Sequence, residues 1–240
     1  MISVATDPGY HRVFDAVAWV IGLGAGWAVS RWRLQDARAA LPRGHGFIVS
    51  IALGAVAGAY LAGSLPSIVS GAGSISHSVV GALAGAIIGV EIYKAARGIR
   101  RSTGAVFVAP FTIGITIGRW GCFFAGLPDG TYGLPTRLPW GVDLGDGIAR
   151  HPVQLYESAS MLLFLGAYLV GLGLRAPWAV MRGFYFMVLW YAGQRFVWEF
   201  FKPYPSVLGP FNLFHLISVG LTIYGCIWLA RSRQGSVGLT

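Results

Sequence analysis

Residues 46–64 read GFIVSIALGAVAGAYLAGS, nineteen positions with no charged residue and no proline. That length is near the ~20 apolar residues a helix needs to cross a bilayer. Gly54 and Gly58 lie four apart inside it, a spacing that lets two membrane helices approach closely. Six further spans of the same kind flank this one, at 13–32, 78–96, 104–122, 153–173, 177–198 and 211–231. Gly81, Gly85 and Gly89 give the span at 78–96 a matching small-residue stripe. The stripe is read as helix packing.

Composition agrees with this reading. Only 11% of the 240 residues are charged and 55% are hydrophobic, whereas a soluble domain carries roughly 25% charged residues. Mean hydropathy is +0.63. The expected fold class is all-α: a polytopic integral membrane bundle of about seven transmembrane helices. Residues 1–240 are expected to form one transmembrane domain, since no composition break marks a second. There is no internal repeat of the kind that builds many transporters.

Charge sets the direction. Arg31, Arg33, Arg38 and Arg43 follow the first span, and Lys94, Arg97, Arg100 and Arg101 follow the third. Arg175 and Arg182 flank the connection after the fifth, and Arg231 and Arg233 follow the seventh. These twelve of the 18 basic residues fall on one side, which the positive-inside rule makes cytoplasmic. The N-terminus is then outside and the C-terminus cytoplasmic. The net charge of +9 does not point to nucleic acid, because the basic residues sit in short loops rather than on a folded basic face. The first ten residues lack a basic segment, so no cleaved signal peptide is expected and the first span is retained. Cys122 and Cys226 fall near opposite ends of their spans, which argues against a disulfide. Neither cysteine has metal-ligand spacing to the five histidines, and no metal site is expected.

Two outer segments interrupt the spans: a charge-free Gly/Ser loop at 65–77 and a loop at about 123–152. A connection of some thirty residues in a compact bundle is functional or disordered. The polar residues bordering these loops need a reason, because a charge in hydrocarbon costs at least ~2.5 kcal/mol. His77 opens the third span and Arg119 ends the fourth. Arg150 and His151 precede the fifth, whose first turns hold Gln154, Tyr156 and Glu157. Arg195 and Glu199 close the sixth, four residues apart and able to form a local ion pair. Pro152 suits the first position of a helix. Gly118, Gly121, Gly126, Gly130 and Gly133 surround and follow Arg119. A forked, always-charged guanidinium among glycines suits a phosphate. His11, His45 and His215 are read as packing or capping residues. Tyr10, Trp140, Tyr191, Trp198 and Tyr204 are read as an interfacial aromatic belt. The inner halves of the spans look bare, so the polar site is a dead-end pocket open to the outer leaflet, suited to an anionic phospholipid head group.

At these segments the chain resembles the prolipoprotein diacylglyceryl transferases of bacteria, over about residues 46–200. Gly118-Arg119-Trp120-Gly121-Cys122-Phe123 is similar to that family's Gly-Arg-x-Gly-Asn-Phe signature, and His77 with its Gly-rich span to its His-Gly-Gly segment. Gln194-Arg195-Phe196-Val197-Trp198-Glu199-Phe200 resembles its Arg-Phe-x-x-Glu-Phe element. Pro139 to Val142 and Arg150 to Glu157 also resemble family segments.

The resemblance implies transfer of the diacylglyceryl group of phosphatidylglycerol to the cysteine thiol of a prolipoprotein signal peptide, releasing glycerol phosphate. It implies a multi-pass protein of the bacterial inner membrane, acting on membrane lipid without a cofactor. His77, Arg119 and Arg195 would be catalytic, His77 as proton acceptor and the arginines on the phosphate. Arg119, Gly121, Gly130, Arg150, His151, Gln154, Tyr156, Glu157 and Glu199 would bind substrate. The chain departs from the family where Cys122, Ala125 and Leu127 replace Asn, Asn and Glu. Ser78 and Val79 replace two glycines, and Ala59-Tyr60 stands where the family often has an arginine. A paralogue with another acceptor and a non-catalytic phospholipid-binding protein are the alternatives.

Overall fold

The computed structural model describes residues 2–69 and 75–234. Within them the chain is mostly helical. In order come β1 (Ile2–Ser3), α1 (Gly9–Trp32), α2 (Gln35–Ala39), α3 (His45–Val69), α4 (Val79–Ala96), α5 (Val108–Ala125), β2 (Val142–Asp143), α6 (Val153–Gly173), α7 (Pro177–Glu199) and α8 (Leu213–Gln234). The seven long helices overlie the seven spans read from sequence. Six of them, all but α7, are long and apolar enough to cross a membrane. Helix α7 is 23 residues long, but it carries Arg182, Gln194, Arg195 and Glu199.

Some boundaries differ from the expectation. Helix α3 runs on through Val69, so part of the expected loop at 65–77 is helical, and its residues 70–74 lie outside the described residues. Helix α5 starts at Val108 and continues to Ala125, which puts Arg119 inside the helix rather than at its end. Pro152 is the N-cap of α6 rather than its first residue, and its carbonyl accepts from Leu155 N at 3.0 Å and Tyr156 N at 3.2 Å.

Packing follows the glycines. Helices α3 and α4 form the most extensive pair, followed by α1 with α5. A Cβ on Gly85 would lie 2.1 Å from the Gly54 carbonyl oxygen, and one on Gly58 would lie 2.2 Å from that of Gly81. The two backbones therefore touch along the whole stripe, which is the packing role expected of it. Gly85→Val should cost about 3 kcal/mol, the upper end of overpacking, because the obstructing atom is backbone and cannot turn aside. Gly166 faces open space, so Gly166→Ala should leave melting in detergent unchanged. Equal melting temperatures for the two variants would sink this account.

The interior is aromatic and close-packed: Tyr168, Met161, Leu172, Met187, Val188 and Tyr191 are fully buried. Tyr191 was expected in the interfacial belt. It lies instead in the core with its ring edge-on to Phe111 at 5.1 Å. The outside carries exposed Trp19, Val20, Leu53, Leu61, Leu163 and Leu174. In water such a surface would be an aggregation hazard, whereas against lipid tails it is at home.

The connection between α5 and α6 is ordered by the first residues of the chain. Strand β1 pairs in parallel with β2, with Ile2 opposite Val142 and Ser3 opposite Asp143. The first residues and the connection between α5 and α6 thus share one face of the bundle. At the opposite end, the expectation of bare helices is corrected. Lys94 is buried inside α4 with its Nζ 2.9 Å from Glu91 Oε1. Tyr224 donates to the same oxygen at 2.9 Å, and Lys94 lies over the Trp228 ring at 4.8 Å.

Candidate functional site

Helices α5, α6 and α7 carry their polar residues to one depth, where they meet around Glu157. Arg119 Nε lies 2.6 Å from Glu157 Oε2. Arg195 donates to both Glu157 oxygens, at 2.9 and 3.1 Å. Its other nitrogen holds Glu199 Oε1 at 2.6 Å, so the expected i, i+4 pair forms. Lys202, just past α7, donates to Glu157 Oε1 and lies 3.5 Å from Glu199. Asn212 Nδ2 donates to Glu199 Oε2 at 3.1 Å, and its Oδ1 accepts from the His215 backbone N–H at 3.1 Å. All of these charged side chains are buried. Charges with low exposure persist only when each is paired and hydrogen-bonded. Three cations against two carboxylates leave the cluster one positive charge.

Sequence reading missed Lys202 and Asn212. Lys202 stands three residues after Glu199, the one local signal that could have found it. Burial, together with Arg195, pushes the Lys202 ammonium below the usual lysine range, against the pull of Glu157 and Glu199.

Around this cluster the other expected residues divide. Gln154 is buried, donates to Thr131 Oγ1 at 3.4 Å, and keeps an Oε1 with no partner among the described residues. Ser158, on the same face, donates to the Thr116 carbonyl at 2.7 Å. Tyr156 accepts from Trp140 Nε1 at 2.8 Å. His151 packs its ring on Phe201 at 5.0 Å, and burial lowers its pKa. Arg150 pairs with Asp146 at 2.6 Å and lies over Tyr132 at 4.9 Å. Gly121 serves the contact with α1, where a Cβ would lie 2.7 Å from Phe14 Cβ. Gly130 takes a left-handed φ of 70° and closes the short 3-10 turn that presents Asp129.

His77 is not part of the charged cluster. It is exposed and stands one residue before the N-cap of α4; that cap, Ser78, accepts from Gly81 N at 3.3 Å. The serine that stands in a glycine's place thus has a local task. The segment is stitched to α3 through Ser76 Oγ on the Gly63 carbonyl at 2.6 Å and Ser78 N on the Ala59 carbonyl at 3.0 Å. His77 lines one end of an apolar cleft of about 750 Å³. The cleft runs between α1, α3, α4, α5 and α7, past Gly114 and Ile115, and reaches Glu91, Lys94 and Tyr224 of α8 at its far end.

His11 was read as a packing residue, and its surroundings say otherwise. Its ring lies 6.4 Å from that of His77. Its Nδ1 is 2.5 Å from Asp129 Oδ1 and its Nε2 is 3.3 Å from Asp15 Oδ2. Thr131 donates to Asp129 Oδ2 at 2.5 Å. Burial alone would raise the Asp129 carboxyl, but the hydrogen bonds from His11 and Thr131 hold it below the ordinary carboxylate range. Arg119 Nη1 points at Cys122 Sγ from 3.9 Å, and both cysteines are free thiols. No signal in the sequence links residue 11 to residue 129.

Comparison with known proteins gives a consistent answer. A curated phosphatidylglycerol–prolipoprotein diacylglyceryl transferase of Geobacter sulfurreducens is 33% identical over 134 residues, covering 52% of this chain and 49% of that one. One from Finegoldia magna is 32% identical over 135 residues, covering 54% and 50%. One from Methylocella silvestris is 31% identical over 220 residues, covering 81% of this chain and 78% of that one. The chain spans about half the length of the first two relatives. No solved structure matches it. The family model described as prolipoprotein diacylglyceryl transferase matches residues 16–231, from within α1 to within α8. That match takes in the buried arginines, the capped segment at His77 and the helices that hold them, and the chain belongs to the prolipoprotein diacylglyceryl transferase family.

Proposed function

We propose that the chain transfers the diacylglyceryl group of phosphatidylglycerol to the thiol of a cysteine in a prolipoprotein signal peptide, releasing glycerol phosphate. The observation that carries this reading is the buried pair Arg119 and Arg195 on Glu157, in a cluster with one excess positive charge. A preorganised positive site stabilises a phosphate as it takes up the electron pair of the breaking carbon–oxygen bond. Arg119, nearer the cleft along α5, meets the head group, and Arg195 holds Glu157 and Glu199 in place. The acyl chains fit the apolar cleft that begins at His77. His77 takes the thiol proton, since the thiolate is the nucleophile. The Oε1 of Gln154 and the Nδ1 of His151, without partners among the described residues, complete the substrate pocket with Tyr156, Arg150 and Gly130.

In this reading 1–240 is one domain and α7 crosses the membrane as the seventh span. Its polar residues are neutralised by α6 and by the α7–α8 connection. The N-terminus lies outside, the C-terminus in the cytoplasm, and the site faces the outer leaflet of the bacterial inner membrane. Two observations support that direction. Twelve basic residues fall on the opposite face. The β1–β2 pairing puts the N-terminus on the side of the α5–α6 loop, as four intervening crossings require.

The test is an assay in liposomes with phosphatidylglycerol and a signal-peptide substrate bearing the acceptor cysteine. Mass spectrometry should find the added diacylglyceryl mass on the peptide and free glycerol phosphate. His77→Ala should abolish product while lipid still binds. Lipid binding with no product from the unaltered chain would favour a non-catalytic binder, and product on another acceptor would favour a paralogue.

A further inference from the structure

We propose that His11, Cys122 and Asp129 form a zinc site whose open fourth position receives the acceptor thiol. The metal site stands on the geometry alone, and the thiol's place in it rests on the transferase reading above. The candidate ligand atoms of the three residues all lie within 4.8 Å of one another. Tetrahedral zinc with these donors sets ligand atoms about 3.3–3.8 Å apart. His11 Nδ1 and Asp129 Oδ1 need open by only about 1 Å from their present 2.5 Å. One thiolate, one imidazole and one carboxylate form a donor set that suits zinc, and three protein ligands with a free position are typical of its catalytic sites.

The supporting contacts are already built. A ligating histidine donates its other ring N–H to a carboxylate, and His11 Nε2 has Asp15 at 3.3 Å. A ligating carboxylate is held through its other oxygen, and Asp129 Oδ2 takes the Thr131 hydroxyl at 2.5 Å. Arg119 Nη1 lies 3.9 Å from Cys122 Sγ, while its Nε is held by Glu157. The site lies beside His77, where the cleft opens.

The chemistry is thiol alkylation. A zinc-bound thiol is deprotonated yet keeps a nucleophilic lone pair. The acceptor S–H proton passes to His77 or water. The sulfur lone pair forms the new S–C bond as the glycerol C–O bond breaks, and that electron pair leaves with the phosphate oxygen. No electron is gained or lost by the ion.

The experiment uses the full chain, purified in detergent without a histidine tag and stripped with chelator. Zinc added alone should bind at one ion per chain by elemental mass spectrometry. Cobalt in its place should give a thiolate-to-metal absorption band. Cys122→Ser should lose that band and lower metal affinity at least tenfold. Asp15→Asn should weaken zinc about tenfold to a hundredfold. In the unaltered protein, zinc should block maleimide labelling of Cys122 and spare Cys226, a reading that needs no variant to fold. Metal-free melting of Cys122→Ser should equal that of the metal-free parent.

Absence of binding, binding unchanged in Cys122→Ser, or full product from stripped protein would overturn the proposal and leave His11–Asp129 as a hydrogen-bonded pair. Zinc bound by these residues with no product under any condition would uphold the metal site and sink the transferase reading instead.

Discussion

Glu157→Gln is expected to lower stability by about 3–5 kcal/mol, the cost of leaving buried charges without their partner. Glu157 is fully buried and is the only carboxylate among the described residues shared by Arg119, Arg195 and Lys202. The amide keeps its shape but not its charge. Three cations would then face Glu199 alone, in surroundings that neither water nor lipid can screen. Glu199→Gln should cost less, because Asn212 and part of Arg195 are its main partners while Glu157 keeps its own. Thermal unfolding in detergent reads the difference directly. A Glu157→Gln protein melting within a degree or two of the parent would mean that water reaches these charges.

Arg119→Lys is expected to do the reverse, sparing the fold and lowering the proposed transfer. A lysine keeps the positive charge opposite Glu157, so melting should change little. It is a point charge on a flexible stem and lacks the planar fork. Arg119 puts one nitrogen on Glu157 and directs another toward Cys122, which an ammonium cannot do in the same geometry. Loss of one preorganised donor to developing charge costs about 10²–10³ in kcat. The proposed diacylglyceryl transfer should fall by that factor, with weaker binding of phosphatidylglycerol in the liposome assay. Transfer retained within a factor of three would remove Arg119 from the phosphate-binding role.

The fold was legible because lipid leaves few choices for backbone polar groups. Apolar length located seven long helices to within a few residues, and the glycines at 54, 58, 81, 85 and 89 announced the α3–α4 contact. The site was legible only where a charge stood out against apolar neighbours, as at Arg119, Glu157, Arg195 and Glu199. Lys202 sits among loop residues, where a charge is unremarkable. His11 and Asp129 meet only because α1 packs on α5, and a contact between residues 118 apart leaves no local trace. Tyr191 was misplaced because position along a helix gives depth but not which face turns inward. The far-end group of Glu91, Lys94 and Tyr224 was missed for a related reason: Lys94 was read as following the span, but it lies within α4 and its side chain is buried against Glu91.

The pairing of β1 with β2 also sets an order of events. Ile2 leaves the ribosome about 140 residues before Val142, so the α5–α6 connection can gain this anchor only after the first helices are made. Contacts of such long sequence separation form late, since the loop they close must first lose its freedom. The segment that presents Asp129, Thr131 and Arg150 should therefore be among the last parts to gain protection from hydrogen exchange.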